Sequence, residues 1–143
     1  MKYDDASWHY EGDFPADLPA SAGATHIGMF LAWAILHGFA GEIHIEDSPD
    51  TLEQLRQRTI TPGQFLIRAC DEKFTDEDLS ADGNSFAEHY FKSEDHWGDY
   101  LDDYEATLGK KGQSLYHIAD TWENYDLLAP VIQKRFEEWQ KDA

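Results

Sequence analysis

One run of 19 residues, Ala22–Ala40 (AGATHIGMFLAWAILHGFA), is the only long apolar stretch in the chain, and the rest has to be arranged around it. Elsewhere the sequence is acidic or broken by Gly, Pro, Asp and Ser. The run reaches the lower end of membrane-spanning length, but Thr25, His26, Gly28 and His37 interrupt it and no basic cluster flanks it. It therefore predicts a buried core helix, opening near Pro19–Ser21 and stopping at Gly38, a residue suited to the turn after a helix end. A buried helix needs neighbours to enclose it. The expected fold class is mainly α: a compact bundle of about five to six helices around a central helix at about 20–38.

With 143 residues the chain reads as a single domain, 1–143, long enough to bury a core. Apolar residues make up 41% and aromatics 14%, which excludes a disordered composition despite the charge. The net charge of −18, from 29 acids against 11 Lys and Arg, repels nucleic acid and anionic membranes and draws basic partners. The expectation is a basic protein partner, no direct nucleic acid and no membrane. General solubility is the plainer reading of the same charge. The opening MKYDDASWHYEGDF lacks the basic-then-apolar layout of a secretory leader, and Cys70 stands alone, so no intrachain disulfide forms. Both features suit a cytoplasmic location.

Taken in order, residues 1–20 carry Tyr3, Trp8, Tyr10 and Phe14 among acids and prolines, and read as an irregular arm whose aromatics dock on the core. On the central helix, His26, Trp33 and His37 share one stripe. The two histidines are eleven residues apart, about 16 Å along the axis, too far to share one ion. Residues 42–46 (EIHIE) alternate polar and apolar and suit a short strand, with 114–118 as its best partner. Ser48-Pro49 opens a helix to about Arg58, and Thr61-Pro62-Gly63-Gln64 opens another with a capping box, carrying Phe65, Leu66, Ala69 and Cys70 inward. Nothing local activates Cys70, which reads as a small core thiol. Asp78-x-Ser80-x-Asp82-Gly83 resembles the start of a calcium loop, but its ninth and twelfth positions are Phe86 and His89. The same residues are better explained by a turn at Asp82-Gly83 and a capping box of Ser85 with Glu88.

Ser93–Leu108 reads as an amphipathic helix, with Asp95, Asp99, Asp102 and Asp103 on one side and Trp97, Tyr100, Leu101, Tyr104 and Leu108 on the other. Between Asp71 and Glu105 stand 13 acids against only Lys73 and Lys92, more than half the net charge in a quarter of the chain. Uniform solubility does not predict that concentration. The candidate partner-binding residues are therefore Asp95, Asp99, Asp102, Asp103, Asp76, Glu77 and Asp78. A closing helix from about Asp126 to Lys141 places Tyr125, Leu128, Ile132, Phe136 and Trp139 on one face, with Pro130 in its first turn or at a kink.

The chain contains no Gly-rich phosphate loop, paired Cys motif, HExxH helix or GxSxG elbow, so no cofactor is expected and no catalytic residue is assigned. Scattered histidines and carboxylates could still meet in space. Asp4, Asp5, His9, His26, His117 and Asp120 are the set for an alternative function, a small metal-dependent hydrolase.

Three segments carry a resemblance: Tyr3-Asp4-Asp5-Ala6-x-Trp8-His9 with Gly12-Asp13-Phe14-Pro15, then Thr25-His26-Ile27-Gly28-Met29-Phe30-Leu31-Ala32-Trp33-Ala34, and Asp120-Thr121-Trp122-Glu123-Asn124-Tyr125. Together they resemble a family of small, acidic bacterial proteins with no assigned activity. The resemblance implies bacterial origin and one domain, and implies no mechanism. By a looser analogy, small acidic proteins of this type resemble the immunity proteins that neutralise bacterial toxins. The leading expectation is thus a non-enzymatic immunity or inhibitor protein that neutralises a basic toxin through its acidic surface.

Overall fold

The computed structural model describes residues 1–142. Strand β1 (Lys2–Asp5) runs straight into α1 (Ala6–Tyr10), and a 3-10 turn at Ala20–Ala24 leads into α2 (Thr25–Leu36). Then come α3 (Glu42–Asp47), α4 (Pro49–Arg56), α5 (Pro62–Cys70), β2 (Lys73–Thr75), α6 (Ala81–Tyr90), α7 (Tyr100–Leu108) and α8 (Trp122–Asp142). The fold is mainly helical, as expected, and carries a small two-stranded sheet, but has eight α-helices among the described residues, several of them short.

The central helix is where the apolar run placed it. Every residue from Thr25 to Ile35 is buried, so α2 has no solvent face and is stabilised by packing on all sides. Phe30 touches Trp33, Phe74, Phe86, Tyr90, Phe91 and Tyr100, a ring cluster that joins α2 to β2, α6 and α7. Burying a ring of this kind contributes about 1.5–3 kcal/mol. On another side, α5 crosses α2 so closely that a side chain at Gly28 would meet the Pro62 carbonyl. The start of α5 is held by the predicted capping box, with Thr61 accepting from Gln64 N–H and Gln64 reaching back to Thr61 N–H.

Several expectations are corrected. Residues 42–46 form helix α3 rather than a strand, and 114–118 fold around a 3-10 turn at Leu115–His117. The alternation misleads because the polar His44 is the buried residue, while Ile43 and Ile45 are exposed. The two strands that pair are β1 and β2, antiparallel, with Asp4 opposite Phe74 and Asp5 opposite Lys73. The opening is accordingly not irregular over residues 2–10. Helix α6 starts at Ala81 behind the cap Ser80, so Asp82-Gly83 is helical and Ser85 sits inside the helix, bonded to the Ala81 carbonyl. Ser48 makes no side-chain cap to α4.

The most consequential correction concerns Ser93–Leu108, of which only Tyr100–Leu108 is helical. Ser93 Oγ accepts from the N–H groups of Asp95 and His96, and Gly98 lies against the Tyr90 carbonyl where no side chain fits. The segment therefore folds back on the end of α6 as a tight turn closed by a Lys92–Trp97 bridge. Trp97 is exposed rather than core, while Tyr100, Tyr104 and Leu108 are buried as expected.

Helix α8 buries Tyr125, Leu128 and Ile132 and contains Pro130 in its interior. Two forked ion pairs fasten it, Arg135 to Asp103 on α7 and Arg58 to Asp126. No helix among the described residues is long and apolar enough to cross a membrane.

Candidate functional site

The junction of β1 and α1 brings Asp4 and His9 against His26 in the first turn of α2. Asp5 caps α1, its carboxylate accepting from Ser7 N–H and Oγ–H, which turns the chain so that His9 returns to Asp4. Asp4 and His26 are buried, and the His9 side chain is 14% exposed. Asp4 Oδ1 accepts from the Asp5 N–H at 2.8 Å and from His9 Nε2 at 2.8 Å. With Asp4 ionised, His9 must donate through Nε2, and in neutral His9 the Nδ1 atom accepts from the Tyr116 hydroxyl at 2.6 Å. The His9 and His26 rings meet edge to face, with centroids 4.5 Å apart.

The second half of this cluster is under-bonded. Asp4 Oδ2 lies 3.6 Å from His26 Nε2, beyond hydrogen-bond length, and neither atom has another partner; His26 Nδ1 has none either. Each such buried orphan costs about 1–3 kcal/mol. Burial opposes ionisation of Asp4, but the imidazoles of His26 and His9 outweigh it and hold the carboxyl down to about 2. Burial dominates at His26, lowering its pKa despite Asp4. One donor atom each from Asp4, His9 and His26 lie within 4.8 Å of one another.

Beyond Tyr116 lies an open cleft of about 450 Å³ whose polar lining includes Thr25, Gln64, His117 and Asp120. None of Asp4, His9 and His26 lines it. Of the six residues in the hydrolase set, three therefore converge and three do not. Asp5 is spent on the α1 cap and on Lys2. His117 bonds Ser114 and Asp17. Asp120 accepts from Thr61 Oγ1–H and Gly63 N–H, an anchor for the start of α5.

A second buried cluster had no warning in the sequence. His44 Nε2 lies 2.8 Å from Asp78 Oδ1, and Cys70 Sγ lies 3.8 Å from the same nitrogen. Asp78 Oδ2 accepts from Thr75 N–H, so both of its oxygens are used. Burial and the nearby Asp78 push the Cys70 thiol well up. Because Cys70 and Asp78 share one imidazole nitrogen, this is not a nucleophile–base–carboxylate relay, which needs the two ring nitrogens to serve different partners.

The candidate partner-binding acids separate into two groups. Asp78 is buried on His44; Asp103 is bonded by Arg135 and Tyr90; Asp76 pairs with the Met1 amino group. Burial opposes ionisation of Asp103, and its bonds from Arg135 and Tyr90 lower its pKa in spite of it. Glu77, Asp95, Asp99 and Asp102 are exposed. Asp95 and Asp99 do not share a helix face with Asp102, since α7 begins only at Tyr100.

Residues 2–118 match the model of a family described as a domain of unknown function, DUF7832. The chain belongs to that family. No curated protein and no solved structure matches it significantly. The matched stretch contains Asp4, His9, His26 and Tyr116 and both buried clusters, and it ends before α8.

Proposed function

We propose that the chain is a non-enzymatic acidic binding protein whose partner is a basic protein, acting as an inhibitor of the immunity type that masks a basic toxin such as a nuclease. The observation that carries this reading is an aromatic pair exposed among acids. Trp8 and Trp97 are 46% and 45% exposed, and the Lys92 ammonium lies between them, 5.2 Å and 4.5 Å from the two rings. Glu94, Asp95 and Asp99 stand exposed on the same turn. An adjoining open recess of about 270 Å³ is lined by Met1, Glu88, Ser93, Glu94 and Asp95, a carboxylate-rich lining suited to a lysine or arginine side chain.

Exposed tryptophans are the side chains most enriched among binding anchors, and surrounding charge steers the encounter. A role limited to solubility explains the acids but not the two indoles held in place by cation–π contact. The partner-binding set is accordingly centred on Asp95 and Asp99 with the tryptophans, and extends to Asp102 and Glu77. The test is capture of a basic protein from the source organism on immobilised protein at low salt. Retention should fall as salt rises. Trp97→Ala should weaken the captured complex about thirtyfold, the effect of losing a hot-spot anchor. Asp95→Lys with Asp99→Lys should slow association and flatten the salt dependence. Binding unaffected by all three changes would sink the proposal.

A further inference from the structure

We propose that Asp4, His9 and His26 form a binding site for a divalent first-row transition metal ion of the zinc type. The argument rests on donor geometry. A tetrahedral ion bound at about 2.0–2.1 Å spaces its ligand atoms about 3.4 Å apart. Asp4 Oδ2 and His26 Nε2 stand 3.6 Å apart, too long for a hydrogen bond and close to the spacing of two ligands on one ion. Both atoms are fully buried and have no other partner among the described residues. His9 Nε2 lies on the other carboxylate oxygen at 2.8 Å, and one donor atom from each of the three residues lies within 4.8 Å of the others, which places His9 to serve as third ligand.

The surroundings of His9 fit a ligating role, whereas His26 Nδ1 has no acceptor among the described residues. A metal-bound histidine carries its proton on the nitrogen away from the ion, where it needs an acceptor. His9 Nδ1 has one in Tyr116, whose hydroxyl lies 2.6 Å away and can accept as readily as donate. Two imidazoles and one carboxylate select zinc-like ions over calcium or magnesium, which favour all-oxygen shells. The partly exposed His9 side chain gives access from solvent, from which a water would complete the coordination. With Asp4 and His26 sealed, the ion would tie β1 and α1 to α2. This role is independent of the acidic surface and of the partner proposed above.

The test uses the full chain, stripped with chelator and titrated with Co²⁺ and Zn²⁺. About 0.15 M salt and excess Mg²⁺ screen the exposed carboxylates. One equivalent of Co²⁺ should bind with visible d–d bands and no thiolate charge-transfer band, and Zn²⁺ should displace it and raise the Tm. His9→Ala alters the least buried ligand. It should retain the far-UV circular dichroism of the parent and lose affinity at least about tenfold together with the Tm shift. Should His9→Ala fail to fold, Tyr116→Phe serves in its place, with Co²⁺ affinity reduced about tenfold through the lost acceptor. Cys70→Ser should bind as the parent does. Three results overturn the proposal: no stoichiometric metal uptake, a charge-transfer band abolished by Cys70→Ser, which would move the ion to the His44 cluster, or parental affinity in the folded variant tested.

Discussion

The two buried histidine–aspartate clusters use the same residue types but differ in how completely they are bonded. At His44, Asp78 takes one bond from the imidazole and one from Thr75 N–H, so every carboxylate oxygen has a donor and of the pair only His44 Nδ1 is unpaired among the described residues. At His26, one Asp4 oxygen and both ring nitrogens have none. The first is a staple: it holds α3 against the turn before α6 and gains stability from bonds already made. The second carries a deficit in a fully buried position, where a native fold normally tolerates few such atoms. Burial and residue type are therefore poor guides to which cluster is structural. The hydrogen-bond count separates them.

The largest effect expected is at the staple. Asp78→Ala removes the partner of buried His44 and of Thr75 N–H, and should cost about 3–5 kcal/mol in denaturant unfolding. A loss under about 1 kcal/mol would mean that the cluster contributes little. Next comes a paired comparison in metal-free protein. His44→Leu strands an Asp78 oxygen and should cost about 2 kcal/mol, whereas His26→Leu breaks no hydrogen bond, loses only the attraction of the imidazole for the Asp4 carboxylate, and should cost less. Equal losses would erase the distinction between the clusters.

The comparison extends to the acidic surface, where Asp103 is fastened and Asp102 is free. Asp103→Asn should cost about 0.5–1 kcal/mol at neutral pH through its forked pair with Arg135, read from the shift of the unfolding midpoint. Because the folded carboxyl is held below its ordinary value, its contribution is present above about pH 3.9 and is lost as pH falls through the lowered folded value. The parent-minus-variant difference should shrink across that acid window, and Asp102→Asn should show no comparable change. The smallest effect concerns Cys70, half-buried with its thiol pushed up by burial and by Asp78. At neutral pH it should react with an aromatic disulfide reagent far more slowly than in the unfolded chain.

Much of the frame was legible before the structure. The Ala22–Ala40 run identified the central helix because burial on every side leaves an apolar sequence with no polar face, and Thr61-Pro62-Gly63-Gln64 marked the start of α5 because caps act within one turn. Asp4, His9 and His26 all belong to the histidine–carboxylate set that the sequence offers, but that set has six members. Their assembly could not be derived, since His26 belongs to α2 while the other two arrive through the β1–α1 junction and its pairing with β2. The His44–Cys70–Asp78 cluster was invisible for the same reason, with partners 26 and 34 residues from His44. The Ser93–Leu108 reading failed differently. Its periodicity is real from Tyr100 onward, but the close contact of Gly98 with Tyr90 folds the first part back.

By itself, then, the sequence determined the helical class, the hub of the core and the concentration of acid between Asp71 and Glu105, because these depend on composition and short-range periodicity. Which acids are free, which histidines meet which carboxylates, and that Trp8 and Trp97 close around Lys92 were decided only by tertiary structure. Those facts rest on contacts between distant segments, and local preference carries no information about such contacts.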